Sequence, residues 1–116
     1  MNIEPVGQVR KRSDKSSVLD IRARYADALL GIEPGDRLQV LYWMHRLPDG
    51  ERERLQVHPQ GRTDRPLRGV FAVRSPMRPN PIGVAVVTVT EVDGTSVAVS
   101  GLDAFDGSPI IDVKSG

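Results

Sequence analysis

Residues 82–92 read Ile-Gly-Val-Ala-Val-Val-Thr-Val-Thr-Glu-Val, and Asp93-Gly94 follows at once. Valine and threonine branch at Cβ and suit a pleated surface, so Ile82–Val92 predicts the clearest strand in the chain. Asp-Gly is a strong hairpin turn signal, because its residues tolerate positive φ. Thr95–Leu102 then returns antiparallel. The remaining apolar segments are short and lie between turn residues. Met1–Val9 alternates weakly as a first strand, and Lys11–Lys15 reads as a polar turn. Ser17–Arg22 alternates as a second strand. Tyr25–Leu30 predicts one or two helical turns ended by Gly31, and Glu33-Pro34-Gly35-Asp36 predicts a turn. Leu38–Met44 reads as a central buried strand broken by Leu47-Pro48-Asp49-Gly50. Short strands are expected at Leu55–Val57, Gly69–Val73 and, after the turn Asp106-Gly107-Ser108-Pro109, at Ile110–Val113. This spacing predicts a mainly β fold: a small single-domain β-barrel of short, mostly antiparallel strands with one short helix.

Composition narrows the function classes. A chain of 116 residues forms one domain, taken as 1–116, with a single modest core. Net charge is +1, so no global field drives nucleic-acid binding. The absence of cysteine excludes disulfides, thiolate zinc sites and cysteine nucleophiles. His45 and His58 are the only histidines and cannot by themselves build a usual metal site, so no metal is expected. No apolar run approaches a membrane span of about 20 residues. Met1–Arg12 lacks the apolar run of a signal peptide, so the expectation is a cytoplasmic protein without a membrane partner.

The strongest chemical signal is Arg-Gly-Val-Phe-Ala-Val-Arg-Ser-Pro-Met-Arg-Pro-Asn-Pro-Ile-Gly at residues 68–83. Pro76, Pro79 and Pro81 fix their own φ and push the residues before them toward extended geometry. A loop so restricted loses little entropy on ordering. It holds Arg74, Arg78 and Asn80 in place, and guanidinium forks suit phosphate or carboxylate recognition. Arg62 and Arg65 read equally well as solvated charges. His45-Arg46 closes the Leu41–Met44 strand, a position that lines sites but also simply faces solvent. His58 beside Pro59 reads as surface. Asp106-Gly107 is explained by its turn alone, as is Asp93-Gly94. Phosphate-binding glycine loops, nucleophile elbows and paired-histidine metal motifs are absent from the sequence.

Gly69–Gly83 resembles the hallmark of the TsaA/TrmO-like family, Gly-Val-Phe-Ala-Thr-Arg-Ser-Pro-x-Arg-Pro-Asn-Pro-Ile-Gly-Leu. Val73 stands in place of Thr and Val84 in place of Leu. Pro5-Val6-Gly7 is similar to the family's opening, and Leu41-Tyr42-Trp43-Met44-His45-Arg46 to its aromatic strand. Ser100-Gly101-Leu102-Asp103 and the segment from Asp106 to Lys114 match its closing motifs, so the resemblance covers nearly the whole chain. It implies a β-barrel methyltransferase that uses S-adenosyl-L-methionine and works as a homodimer with the cofactor near the interface. The implied reaction is methylation of N6 of threonylcarbamoyladenosine next to the anticodon of tRNA. A small-molecule acceptor, or a cofactor- or RNA-binding module without catalysis, stands as the alternative. The implied cofactor contacts are Val9, Arg10, Lys11, His45, Arg46, Arg74, Val84, Asp106, Gly107, Ser108 and Pro109.

Within the implied reaction, Arg74 positions cofactor or substrate, Asn80 orients an acceptor amide, and Arg78 meets a carboxylate or phosphate. The arginines at 62, 65 and 68 face phosphates. Two departures from the family pattern bear on the first cofactor contact and on the acceptor, respectively. Lys11-Arg12 replaces the family's Ser-Pro, and Ser115-Gly116 follows Lys114 where Pro-Tyr is common, so the expectation is a domain without the additional C-terminal domain of longer members.

Overall fold

Alternation decides the architecture. In the strand Arg37–Trp43, Leu38, Val40 and Tyr42 are buried while the residues between them are not. This is the period-two pattern of a strand with one face in a core. The computed structural model describes residues 1–116 apart from the side chain of Asp49. Eight strands lie among the described residues: β1 Gly7–Lys11, β2 Ser16–Ile21, β3 Arg37–Trp43, β4 Gln56–Val57, β5 Arg68–Gly69, β6 Ile82–Asp93, β7 Ser96–Ser100 and β8 Pro109–Ser115. Six of them close into an antiparallel barrel in the order β1-β2-β7-β6-β3-β8, and β4 pairs only with β5. Inward residues from each barrel strand, among them Val9, Leu19, Val40, Val89, Val99 and Ile110, form one core.

The segment Ala23–Leu29 is 3-10 helix rather than α-helix, and Tyr25, Leu29 and Ile32 are half-buried and pack against the core. Three shorter 3-10 segments lie between β3 and β6. Gly31 and Gly35 take φ of 95° and 94°, a region glycine enters without a Cβ clash, so both turn signals fall where expected. Most strand bounds fall within two residues of expectation, and two segments differ by more. Strand β1 starts at Gly7 because its partner β2 ends opposite it at Ile21. The segment expected as a strand at Gly69–Val73 is strand only at Arg68–Gly69 and then turns as 3-10 helix over Val70–Ala72. The carbonyls of Val70 and Val73 are taken there by the Arg78 guanidinium instead of a neighbouring strand.

Closure is the thinnest pairing in the barrel. Strand β1 meets β8 only at Gly7↔Ile110 and Gln8↔Pro109. Backbone bonds extend that seam: Val6 N–H donates to Ile110 C=O at 2.8 Å and Val9 N–H to Ser108 C=O at 2.9 Å. A Cβ at Gly7 would lie 2.2 Å from the Asp20 carbonyl oxygen, so only glycine lets β1 lie between its two neighbours. The connection from β3 to β6 leaves the barrel as an arm. With it the molecule measures 46 × 30 × 22 Å, with a radius of gyration of 15.4 Å, against about 13 Å for a compact domain of this length.

The Gly7→Ala variant is therefore expected to lose about 3 kcal/mol of stability, the upper end of the range for overpacking against fixed atoms. Urea unfolding reads it as a fall in the midpoint at unchanged slope; a midpoint equal to that of the wild type would show that the seam can shift to admit a methyl group.

Candidate functional site

At the end of the barrel where β1 and β3 finish, side chains from four separate stretches surround a cavity of about 430 Å³, within the size range of small-molecule sites. Strand β1 contributes Lys11; the end of β3 and the residues after it contribute Tyr42, Met44, Arg46 and Leu47. The proline-locked loop contributes Arg74 and Pro76, and the β7–β8 connection contributes Asp103 to Phe105 and Ser108.

The β7–β8 connection is fastened to β1 by its backbone. Gly107 N–H donates to Val9 C=O at 2.7 Å, and Lys11 N–H donates to Asp106 Oδ1 at 2.8 Å. Gly107 holds φ at 83°, which a residue with a Cβ adopts only with strain. The turn places Ser108 in the interior with its Oγ 3.5 Å from His45 Nδ1. It also presents Phe105 to solvent, and the Arg46 guanidinium sits over that ring, 4.6 Å from its centroid.

Tyr42 reaches the cavity from inside the barrel. It pairs with Gly83 across β3 and β6, and a Cβ at Gly83 would lie 2.5 Å from Tyr42 Cζ. The glycine of the Pro-Ile-Gly motif thus makes room for a tyrosine ring. Burial, and then the negative charge of Asp103, push the Tyr42 phenol above its ordinary ionisation range. The hydroxyl therefore stays a donor at neutral pH.

The proline-locked loop is held from within. Arg78 Nη2 donates to the carbonyls of Val70 and Val73, the second at 3.2 Å. Ser75 Oγ accepts from Met77 N–H at 3.1 Å. Arg52 Nε donates to Pro79 C=O at 2.9 Å while its guanidinium lies over Trp43, fixing the loop to the barrel. Arg74 is exposed and lines not only this cavity but also a neighbouring groove of about 720 Å³ between the loop and the β4–β5 arm. Pro76 is shared by both as well.

The structure thus brings Lys11, Arg46, Arg74 and Ser108 together on one cavity. Val9, Asp106 and Gly107 hold the backbone behind it, Pro109 starts β8, and His45 is exposed beside Ser108. The other residues singled out in the sequence lie elsewhere. Arg10 is ion-paired with Asp20 at 3.0 Å, and that hydrogen bond and charge raise its pKa further. Asn80 is exposed, and its backbone carbonyl accepts from Ile82 N–H at 2.7 Å. Val84 is 41% exposed on the outer face of β6. Tyr42, Asp103 and Phe105 join the site without having been singled out. Tyr42 was visible as the third inward position after Leu38 and Val40. Asp103 falls in the Ser-Gly-Leu-Asp motif of the resemblance without a role attached to it, and Phe105 carries no local signal beyond its place in a connecting segment.

A further cavity of about 560 Å³ lies between the Tyr25–Ile32 stretch and the Asp112–Gly116 end of the chain, and contains none of these residues. Among the described residues no cluster of three or more His, Cys, Asp or Glu could hold a metal. No helix is long and apolar enough to cross a membrane.

Residues 5–115 match the family described as tRNA-methyltransferase O N-terminal domain. A probable S-adenosyl-L-methionine-binding protein of Methanocaldococcus jannaschii is 38% identical over 97% of this chain and 89% of its own length. An S-adenosyl-L-methionine-binding protein of Archaeoglobus fulgidus is 48% identical over 88% of this chain and 70% of its own. The crystal structure of TrmO from Pseudomonas aeruginosa has the same fold, with a TM-score of 0.74 over all of this chain at 23% identity. This chain spans 55% of that one.

In a spectrophotometric titration, the phenol of Tyr42 is expected to ionise above the usual value of about 10, and Tyr42→Phe removes that component. The folded-state pKa is raised, so the associated stability is fully present below about pH 10 and is lost as pH rises through the folded value. A Tyr42→Phe variant with the same alkaline titration and the same alkaline unfolding as the wild type would contradict this placement of the ring.

Proposed function

This chain belongs to the family of tRNA-methyltransferase O N-terminal domains, and from that premise we propose that it is an S-adenosyl-L-methionine-dependent methyltransferase acting on threonylcarbamoyladenosine in tRNA. The observation that carries the reading is the convergence of Lys11, Arg46, Arg74 and Ser108 on one cavity. The relatives named for binding S-adenosyl-L-methionine support it. The donor set fits that molecule. Three cations suit its carboxylate, the exposed Phe105 ring offers a face to its base, and Met44 and Leu47 supply apolar wall.

When bound, S-adenosyl-L-methionine supplies an electrophilic methyl group whose leaving group departs as a neutral thioether. The residues here therefore have positioning work more than proton work. Arg74 stands on the wall between the cavity and the arm-side groove, where a donor on one side and an acceptor on the other are brought together. Arg78 fixes the curvature of the loop that carries it. Asn80, exposed on the same loop, offers amide donor and acceptor atoms to the threonylcarbamoyl group. Arg65 and Arg68 are exposed on the arm and take no part in the ion pairs among the described residues, whereas Arg62 is paired with Asp64 at 2.9 Å. The free pair meets phosphates of the anticodon loop, whose bases unstack at little cost. The protein works in the cytoplasm as a homodimer through the outer face of β3 and β6, where Val84 lies opposite Leu41 and Val86 opposite Gln39. Val84 and Val86 are 41% and 47% exposed there. Sedimentation showing a monomer at micromolar concentration would remove that interface.

Labelled methyl transfer to bulk tRNA, and none to tRNA lacking threonylcarbamoyl groups, is the expected result. Transfer to neither, with S-adenosyl-L-methionine still bound in calorimetry, would leave a binding module or an enzyme for another acceptor. Arg74→Ala is expected to weaken cofactor affinity at least about tenfold, the loss of one charge-assisted contact. Arg65→Ala and Arg68→Ala should each reduce the slope of log affinity for tRNA against log salt by about 1. Unchanged slopes would remove both from the phosphate contacts.

A further inference from the structure

Asp103 is the single carboxylate on the cavity wall, set among Lys11, Arg46 and Arg74. Despite three cations on the same wall, it takes part in none of the ion pairs found among the described residues. Its place in the backbone explains why. Leu102 and Ala104 on either side are buried in the core at 5% and 2% exposure. The chain is thereby anchored on both flanks while Asp103 stays exposed between them. An aspartate side chain is too short to search for a distant partner from a fixed Cα. Asp103 lines the cavity together with Tyr42, and its negative charge adds to the burial that raises the phenol's pKa.

A wall with fixed cations and one unpaired carboxylate is complementary to a ligand that carries both charges a short distance apart. An α-amino acid is such a ligand: its carboxylate matches a guanidinium and its ammonium matches an aspartate. Resting on the reading of this cavity as the cofactor site, we propose that Asp103 receives the α-ammonium of the cofactor's methionine moiety. The cavity thereby selects ligands that retain an amino-acid zwitterion. The Arg46, Arg74 and Lys11 cations take the carboxylate end. Asp103 is a binding residue of this kind and not a recogniser of the sulfonium, because the product, which has lost that charge, keeps the same amino-acid group.

The test is calorimetric binding of three probes to the intact protein and to Asp103→Asn, which preserves side-chain shape and removes the charge. The probes are S-adenosylmethionine, S-adenosylhomocysteine and methylthioadenosine, the last of which lacks the amino-acid portion. The substitution is expected to weaken the first two alike, by about tenfold, and to leave methylthioadenosine within about twofold of the wild type. Unchanged affinity for the first two would overturn the proposal. So would a loss confined to S-adenosylmethionine, which would place Asp103 at the sulfonium. An equal loss for all three probes would overturn it too, by showing a change in cavity shape. If the wild-type protein bound none of the three, the cofactor reading of the cavity would fail instead, and the Asp103 assignment with it.

Discussion

The seam between β1 and the segment entering β8 is the constraint on which the rest of the molecule depends. Only two residue pairs close the barrel there, and the remaining closure comes from the Val6 N–H bond to Ile110 C=O, from backbone bonds between Val9 and residues 107 and 108, and from the Asp106 carboxylate on Lys11 N–H. The same bonds place Lys11, Phe105 and Ser108 around the cavity. Fold closure and site assembly are therefore one set of interactions, and a distortion of the seam reaches the ligand wall directly. Gly7 permits the close approach at one end and Gly107 the left-handed turn at the other, which is why neither position tolerates a side chain cheaply.

The proline-locked loop solves a second problem, that of holding one arginine steady without a surrounding core. Its prolines remove backbone freedom before folding. The remaining freedom is removed by Arg78, bonded to two carbonyls of its own loop, and by Arg52, which joins Pro79 to the barrel over Trp43. These two guanidiniums satisfy backbone carbonyls that an irregular segment would otherwise leave to water. Arg74, left out of that internal bonding, is the one presented to both cavities.

The barrel strands were legible because period-two alternation and turn dipeptides are local. Ile82–Asp93 with Gly94 and Ser96–Ser100 forms the hairpin that valine, threonine and Asp-Gly predict, and β3 falls within one residue of its apolar run. The 3-10 turn at Val70–Ala72 was not legible, since it depends on where the Arg78 guanidinium goes, five and eight residues away. The two Asp-Gly turns make the same point. Asp93-Gly94 is only a hairpin, whereas Asp106-Gly107 fastens β1, and nothing within either dipeptide separates them. Sequence alone also could not divide Arg74 from Arg78, which share a motif but differ in what lies within reach. Asp103 and Phe105 escaped for the complementary reason: their significance is a matter of what faces them across the cavity, supplied by β3, the arm and β1.

The methyl transfer proposed for this site suits its construction. A thioether leaving group needs no proton, so the transition state is served by holding two reactants in line and by fixed charge. The cavity is built accordingly, from guanidiniums, an ammonium and one carboxylate on segments tied down by backbone bonds, with a tyrosine whose burial resists ionisation. A small barrel with little interior can meet that demand because its walls, and not its core, carry the charges. The cost falls on the backbone, which must place four distant segments around one cavity. The glycines and prolines of the motif are the residues that let it do so.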